Sequence, residues 1–271
     1  MEKLLTRLRN GVVPYQQAIA DCNPQGPKHW IKVRADSGKM TRFISKHEDN
    51  PSVTQSYLDT LGSLSGFRKD RLLYGRWVSA EGLVYEKLDR CFISPLDEIP
   101  VGNLHGGMDF GWNDPFSALA GSLYYDENGR DILYIFYERY KSKCETHKHA
   151  HALNRVFPEG MGVWYADPSR PDSIRDFRRV GLNVQKAKNS IMTGVDAVNA
   201  RINTGRLLIS NRCKSLQQEH GSYVYEKEGE KPIDLDNHAC DALRYLIMGI
   251  DWRKLAIHQY DEVAEEDIGV V

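Results

Sequence analysis

The chain has no stretch approaching the roughly 20 apolar residues needed to cross a bilayer. Its start, MEKLLTRLRNGVVP, has neither an apolar h-region nor a cleavage site. Both absences point away from membranes and secretion. Cysteine is scarce: Cys22, Cys91, Cys144, Cys213 and Cys240 are scattered, with no CxxC pair. That excludes a zinc ribbon, gives no disulfide framework, and fits a reducing compartment. No GxxxxGKS/T loop occurs, so the cradle for nucleotide phosphates is missing. Charge of one sign is lacking too, since 36 basic against 37 acidic residues leave −1. A near-neutral body neither demands nor excludes nucleic acid. The last eleven residues carry five acids and no base, and are expected to form a solvated, frayed tail.

What is present suffices for a core: 41% of 271 residues are hydrophobic. The first ninety residues are irregular, interrupted at Asn23-Pro24-Gln25-Gly26-Pro27, Ser37-Gly38, Asn50-Pro51 and Ser65-Gly66, with one helix expected over 52–61. Beyond residue 102 the pattern sharpens. Residues 104–110, 117–124 and 131–137 read as strands separated by Asn113-Asp114-Pro115 and Asp126-Glu127-Asn128-Gly129. Helices are expected over 143–157, 171–179, 191–202 and 237–250, strands over 162–166, 182–185 and 207–209, and a hairpin over 221–233 turning near Glu228-Gly229. Three hairpin-linked strands followed by alternating strand and helix predict an α/β fold, a mixed sheet flanked by helices.

Three aspartates carry the chemistry. Alternation puts His105, Gly107, Asp109 and Gly111 on one strand face, and Leu104, Met108 and Phe110 on the other. The glycines beside Asp109 leave room for an ion or a nucleic-acid backbone. A strand-end Asp feeding the Gly-Trp-Asn-Asp-Pro turn reads equally well. Asp167 follows a strand, where ligands gather at carboxyl ends, although Asp-Pro-Ser is also ordinary turn chemistry. Asp241 shares a helix edge with His238 and Tyr245, beside the apolar stripe Ala239, Ala242, Leu243, Leu246 and Ile250. Three carboxylates converging without permanent partners would repel. Divalent cations relieve this, and hard oxygen ligands select Mg²⁺ or Mn²⁺ over zinc. Two such ions, roughly 4 Å apart, activate water and stabilise the leaving 3′ oxygen in phosphodiester cleavage.

Gly107-Met108-Asp109-Phe110-Gly111-Trp112, Tyr165-Ala166-Asp167-Pro168-Ser169 and Asn237-His238-Ala239-Cys240-Asp241-Ala242-Leu243-Arg244-Tyr245 resemble, in order and spacing, the nuclease domain of tailed-phage terminase large subunits. The likeness covers about residues 85–250. It implies an RNase H-like mixed sheet, three antiparallel strands then parallel ones. It also implies a metal-dependent endonuclease that cuts double-stranded DNA with little sequence preference. On that resemblance Asp109 bridges two Mg²⁺ or Mn²⁺ ions, Asp167 and Asp241 each complete one site, and His238 supports the ion or water at Asp241.

Cys22-Asn23-Pro24 with Lys28-His29-Trp30 is similar to the end of the family's packaging ATPase. Ser65-Gly66-Phe67 through Gly75-Arg76-Trp77, and Glu81-Gly82-Leu83-Val84-Tyr85, resemble the connection between its domains. The expected organisation is an ATPase remnant plus linker over 1–84, a nuclease over 85–252 and an acidic tail over 253–271: a C-terminal piece with no ATP hydrolysis. The resemblance implies portal protein and small terminase subunit as partners in the parent assembly, no membrane, and the host cytoplasm as location. The rival readings are a junction resolvase or RNase on the same sheet, and a non-catalytic DNA- or portal-docking module.

Arg170, Arg175, Arg178 and Arg179 surround the helix after Asp167 and are placed to hold phosphates, or form a solvated face. Lys186 and Lys188 follow a strand end and are candidates for the scissile strand. His147, His149 and His151 resemble a metal cluster, but only His147 and His151 share a helix face. Tyr223 and Tyr225 either border the DNA groove or pack as strand aromatics.

Overall fold

Apolar segments separated by turn residues condense into one sheet. In the computed structural model, which describes residues 15, 17–27, 29–64, 66–78, 82–158, 162–226 and 231–266, with side chains as far as 252, the strands are β1 (Phe92–Ile93), β2 (Asn103–Asp109), β3 (Phe116–Tyr125), β4 (Asp131–Lys141), β5 (Val163–Ala166), β6 (Val184–Lys186) and β7 (Leu207–Ser210). Lys28, Ser65, Glu81, the turn at Glu228-Gly229 and the residues from Asp267 on lie outside the described residues. The sheet order is β1-β7-β4-β3-β2-β5-β6. Strand β3 pairs antiparallel with β2 and β4, and every other pairing is parallel. This is the expected mixed sheet. Strand β3 is buried along its first eight residues because both faces are covered, so it reads as a continuous run. Strand β4 runs four residues past its expected end, and its pairing with β3 shifts register at Ala120/Gly121.

The helices are α1 (Trp30–Asp36), α2 (Gln55–Gly62), α3 (Gly66–Leu72), α4 (Thr146–Val156), α5 (Pro171–Arg179), α6 (Ile191–Asn203), α7 (Lys214–His220) and α8 (His238–Glu266). Pro171 opens α5 at the position where its missing N–H costs nothing. The two faces bury separate cores. Met108, Ala118, Ala120, Trp164 and Ala166 point to α4 and α5, while Leu119, Leu133, Ile135 and Tyr165 point to α6, α7 and α8. Strand β1 and helix α7 were not expected, being too short to show a period. Helix α8 continues past residue 250 to Glu266, through much of the segment expected as a frayed tail.

Several sequence features resolve into packing. Tyr225 bridges Pro232 across the expected hairpin, but Tyr223 and Tyr225 are buried, with Tyr223 against Tyr85 and Tyr225 against Phe67. They line a core rather than a groove. Gly107 leaves no room for a ligand, because a Cβ there would overlap the Ala242 carbonyl oxygen of α8. A Cβ at Gly111 would likewise overlap the backbone of Asp114. His149 is buried on Phe116, its ring centroid 4.1 Å away, and its Nδ1 accepts from Arg139 Nε at 2.9 Å. It is core, not a metal ligand.

Two outcomes are expected. Gly107→Ala should cost about 2–4 kcal/mol in urea unfolding, since either β2 or α8 must move. Burial, helped by the Arg139 and Lys141 charges, pulls the His149 pKa down to about 4. The unfolded chain therefore takes up this proton first, and stability should fall as pH drops from about 6.5 towards 4, by roughly 2–3 kcal/mol. Parallel unfolding curves for the parent and His149→Gln, which keeps an acceptor for Arg139 but does not titrate, should diverge in that window.

Candidate functional site

Strands β2 and β5 run parallel, so Asp109 at the end of β2 and Asp167 just past β5 emerge at neighbouring carboxyl ends. Met108 pairs with Ala166, and the Asp167 N–H donates to the Met108 carbonyl at 3.1 Å. Helix α8 crosses this edge on the face of Tyr165, whose ring fills the space at Gly249. The chain enters the helix through Asp236 at φ 47° and Asn237, whose carbonyl accepts the Asp241 N–H at 2.8 Å. The first turn thereby brings His238 and Asp241 to the strand ends.

The contacts differ from expectation in an informative way. His238 Nδ1 is 2.9 Å from Asp109 Oδ2, so the imidazole serves Asp109 rather than Asp241. That bond raises the His238 pKa, while burial raises that of Asp109. Asp241 is paired with Arg244, whose Nε and Nη2 lie 3.2 and 3.1 Å from the same oxygen, Oδ1. Burial pushes the Asp241 carboxyl up to about 6 despite that charge. The premise of carboxylates without permanent partners is therefore corrected. Asp167 is held within its own turn: Oδ1 accepts the Ser169 N–H at 3.0 Å and Oδ2 the Ser169 hydroxyl. Tyr245, on the same helix as Asp241, sends its hydroxyl to Asn189 Oδ1 at 3.3 Å. Burial raises its pKa, and the charges of Asp241, Asp167 and Asp109 push the same way.

The three aspartates thus share one sheet edge without closing into a cage. Among the described residues no three of His, Cys, Asp and Glu stand close enough to encircle an ion. The donor chemistry still fits a hard divalent cation. Oδ1 of Asp109 and Oδ2 of Asp241 have no hydrogen-bond partner among the described residues, and both are carboxylate oxygens.

The basic residues divide. Arg175 pairs with Asp172 and Arg179 with Asp176, while Arg178 Nε donates to the Val184 carbonyl at 2.8 Å. Arg170 is exposed, and Lys186 is exposed opposite Ala166 in the β5–β6 register. Lys188 lies 5.1 Å from the Trp252 ring centroid. Sequence reasoning gave no role to Arg244, although its i,i+3 spacing from Asp241 is legible. It also passed over Glu219, which carries no local signal.

No protein-family model matches the sequence. The terminase large subunit of Escherichia phage T5 is 26% identical over 161 residues, which is 53% of this chain and 34% of that protein. Over those residues the chain is similar in sequence to that terminase large subunit. In the large terminase of a thermophilic bacteriophage, solved in complex with ATP-gamma-S, 23% identity and a TM-score of 0.74 extend over 91% of this chain and 65% of that one. The nuclease domain of the P22 large terminase matches at TM-score 0.55 and 19% identity, over 63% of this chain and 93% of that domain. Those likenesses show that the mixed sheet with its flanking helices is a fold shared with these large terminases. This chain spans about a third of the T5 protein and less than two thirds of the thermophilic phage's large terminase.

One measurement follows from the site itself. Arg244→Met should destabilise the fold by about 3–5 kcal/mol at neutral pH, because it strands the buried Asp241 carboxylate. Adding Asp241→Asn should recover much of that loss in urea unfolding.

Proposed function

We propose that this chain carries the nuclease of a phage DNA-packaging terminase, a metal-dependent endonuclease that hydrolyses double-stranded DNA with little sequence preference. The supporting observation is that Asp109, Asp167, Asp241 and His238 share one sheet edge, in a homologue of the T5 terminase large subunit. Two Mg²⁺ or Mn²⁺ ions would supply the activation of water and the stabilisation of the leaving 3′ oxygen.

The chain's own groups have separate tasks. Asp109 would hold metal through Oδ1, because His238 engages Oδ2 and orients the carboxylate. Asp241 offers Oδ2, with Oδ1 held by Arg244. Asp167 would join in holding metal through Oδ2 once the Ser169 hydroxyl releases that oxygen. Arg170 and Lys186, both exposed, take backbone phosphates near the acids, with Lys188, Arg175, Arg178 and Arg179 contributing after local rearrangement of their present contacts. Residues 85–252 form the nuclease, and 1–84 come from the end of a packaging ATPase and its linker. Portal protein and small terminase subunit are the assembly partners on this reading, and ATP is not hydrolysed without a phosphate loop. No helix among the described residues is long and apolar enough to cross a membrane.

Plasmid digestion tests the reading. The parent should nick and linearise DNA with Mn²⁺ and, more slowly, with Mg²⁺, and not with EDTA. Asp109→Asn should fold and be inert, and Asp241→Asn nearly so. His238→Ala should lose roughly 10–100-fold, the scale for groups that orient metal ligands. Undiminished cutting by folded Asp109→Asn would remove the proposed site, and preference for branched DNA or RNA–DNA hybrids would favour a resolvase or RNase.

A further inference from the structure

Glu219 sits on α7, outside the aspartate cluster, and is only 5% exposed. All three of its contacts are donors. Its Oε1 accepts the Tyr140 hydroxyl at 2.6 Å, and its Oε2 accepts the Ala239 N–H at 2.6 Å and the Cys240 N–H at 3.1 Å. Ala239 and Cys240 belong to the first turn of α8, whose N–H groups have no partner within the helix. Asn237, which stands where a side-chain cap is usual, donates instead to Asp234 Oδ1 at 3.3 Å. A carboxylate brought from another helix does the capping, with the sign that the helix N-terminus favours.

Its location gives the contact more than a stabilising role. The turn it grips begins with His238 and includes Asp241. Tyr140 pairs with Ser117 across β4 and β3, and Ser117 pairs with Asp109 across β3 and β2. Glu219 therefore ties the first turn of α8 to the rung of the sheet that carries Asp109. Helix α7 is itself fixed from β4, since the Glu138 carboxylate accepts the Ser215 and Leu216 N–H groups at 2.9 and 2.8 Å. Two carboxylates in relay set where α8 begins.

We propose that Glu219 is a positioning residue of the nuclease site, fixing the first turn of α8 so that His238 rests on Asp109 and Asp241 faces the same edge. This rests on reading that edge as a metal-dependent nuclease. A cap that only added stability would leave metal affinity and turnover untouched once the protein is folded.

The experiment compares the parent with Glu219→Ala, Glu219→Gln, Tyr140→Phe, His238→Ala and the Glu219→Ala/His238→Ala double variant. Each is measured for urea unfolding without metal, Mn²⁺ binding by calorimetry, and plasmid nicking resolved into kcat and KM, at a temperature where all are folded. Glu219→Ala should weaken Mn²⁺ binding and lower kcat by about 10–100-fold, leaving KM for DNA within about 3-fold. Glu219→Gln, which keeps one acceptor for the helix N–H groups, should lose only about 3-fold. In the His238→Ala background the further loss should shrink, because part of the effect passes through that ring. If Glu219→Ala does not fold, Tyr140→Phe and Glu219→Gln carry the test, each expected to weaken Mn²⁺ binding about 3-fold. Folded Glu219 variants that bind Mn²⁺ and cut like the parent would overturn the inference and leave the nuclease reading standing. A parent that neither binds Mn²⁺ nor cuts DNA would overturn the nuclease reading, and the inference with it.

Discussion

Helix α8 lies so close to strand β2 that only glycine fits between them. The Ala242 carbonyl and the Leu246 backbone occupy the space a side chain at Gly107 would need. A helix carbonyl against a strand cannot slide without losing that fit, so the contact fixes the height of α8 over the sheet. Asp109 is two residues along β2 from Gly107, and Asp241 directly precedes Ala242. The close approach and the carboxylate pair are thus one piece of geometry. Both ends of the buried stretch of α8 are also tied. Glu219 holds the start, and Asp251 accepts Arg201 Nε at 3.0 Å, with Arg201 also bonded to Asp131 at the start of β4. Arg201 is fully buried, so its cost in lost hydration is offset only while both carboxylates stay in place.

The charges at the site follow from that placement. Asp109 and Asp241 are largely buried, which disfavours ionisation, and α8 supplies the groups that offset it. His238 and Arg244 lie on the same helix as Asp241, three residues before and after it. One engages Asp109 and the other Asp241, and each occupies a single oxygen. In this state each of the two acids has one oxygen engaged and one without a hydrogen-bond partner among the described residues. Asp167 is different: it sits in a turn closed by Ser169, and both its oxygens are engaged locally.

Much of this was legible in the sequence, for physical reasons. Long periodic segments such as 191–202 and 237–250 came out as helices because a period of 3.6 over three turns is hard to mimic. Pro171 marked the start of α5 to the residue. The placement of the three aspartates, at two strand ends and in the first turn of a helix, was legible from the elements around them. Their partners were not. A lone histidine near Asp241 reads as belonging to Asp241, and only the crossing of α8 over β2 turns it to Asp109. The glycines beside Asp109 read as space for a ligand, whereas they are space for backbone. Glu219 and Glu138 cap helices from a distance in sequence, and no local pattern announces a cap of that kind. Tyr223 and Tyr225 were left between groove and core because alternation alone cannot say what covers a face.

The packing also runs across the expected boundary at residue 84. Phe67, Val84, Tyr85 and Leu88 belong to the same buried core as α6, α7 and α8. Asn199 Nδ2 on α6 donates to the Val84 carbonyl at 2.9 Å, and Arg68 on α3 pairs with Asp196 on α6. The Tyr85 hydroxyl reaches the Cys240 carbonyl at 3.3 Å, one residue before Asp241. The segment leading into the sheet therefore buttresses the site helix directly. Burying these aromatics leaves the segment little freedom to separate from α8, since each would expose apolar area worth roughly 2–3 kcal/mol. A movement of the preceding residues relative to the sheet would have to hinge before Phe67 or deform the first turn of α8, and the second route passes through the residues that hold Asp109 and Asp241.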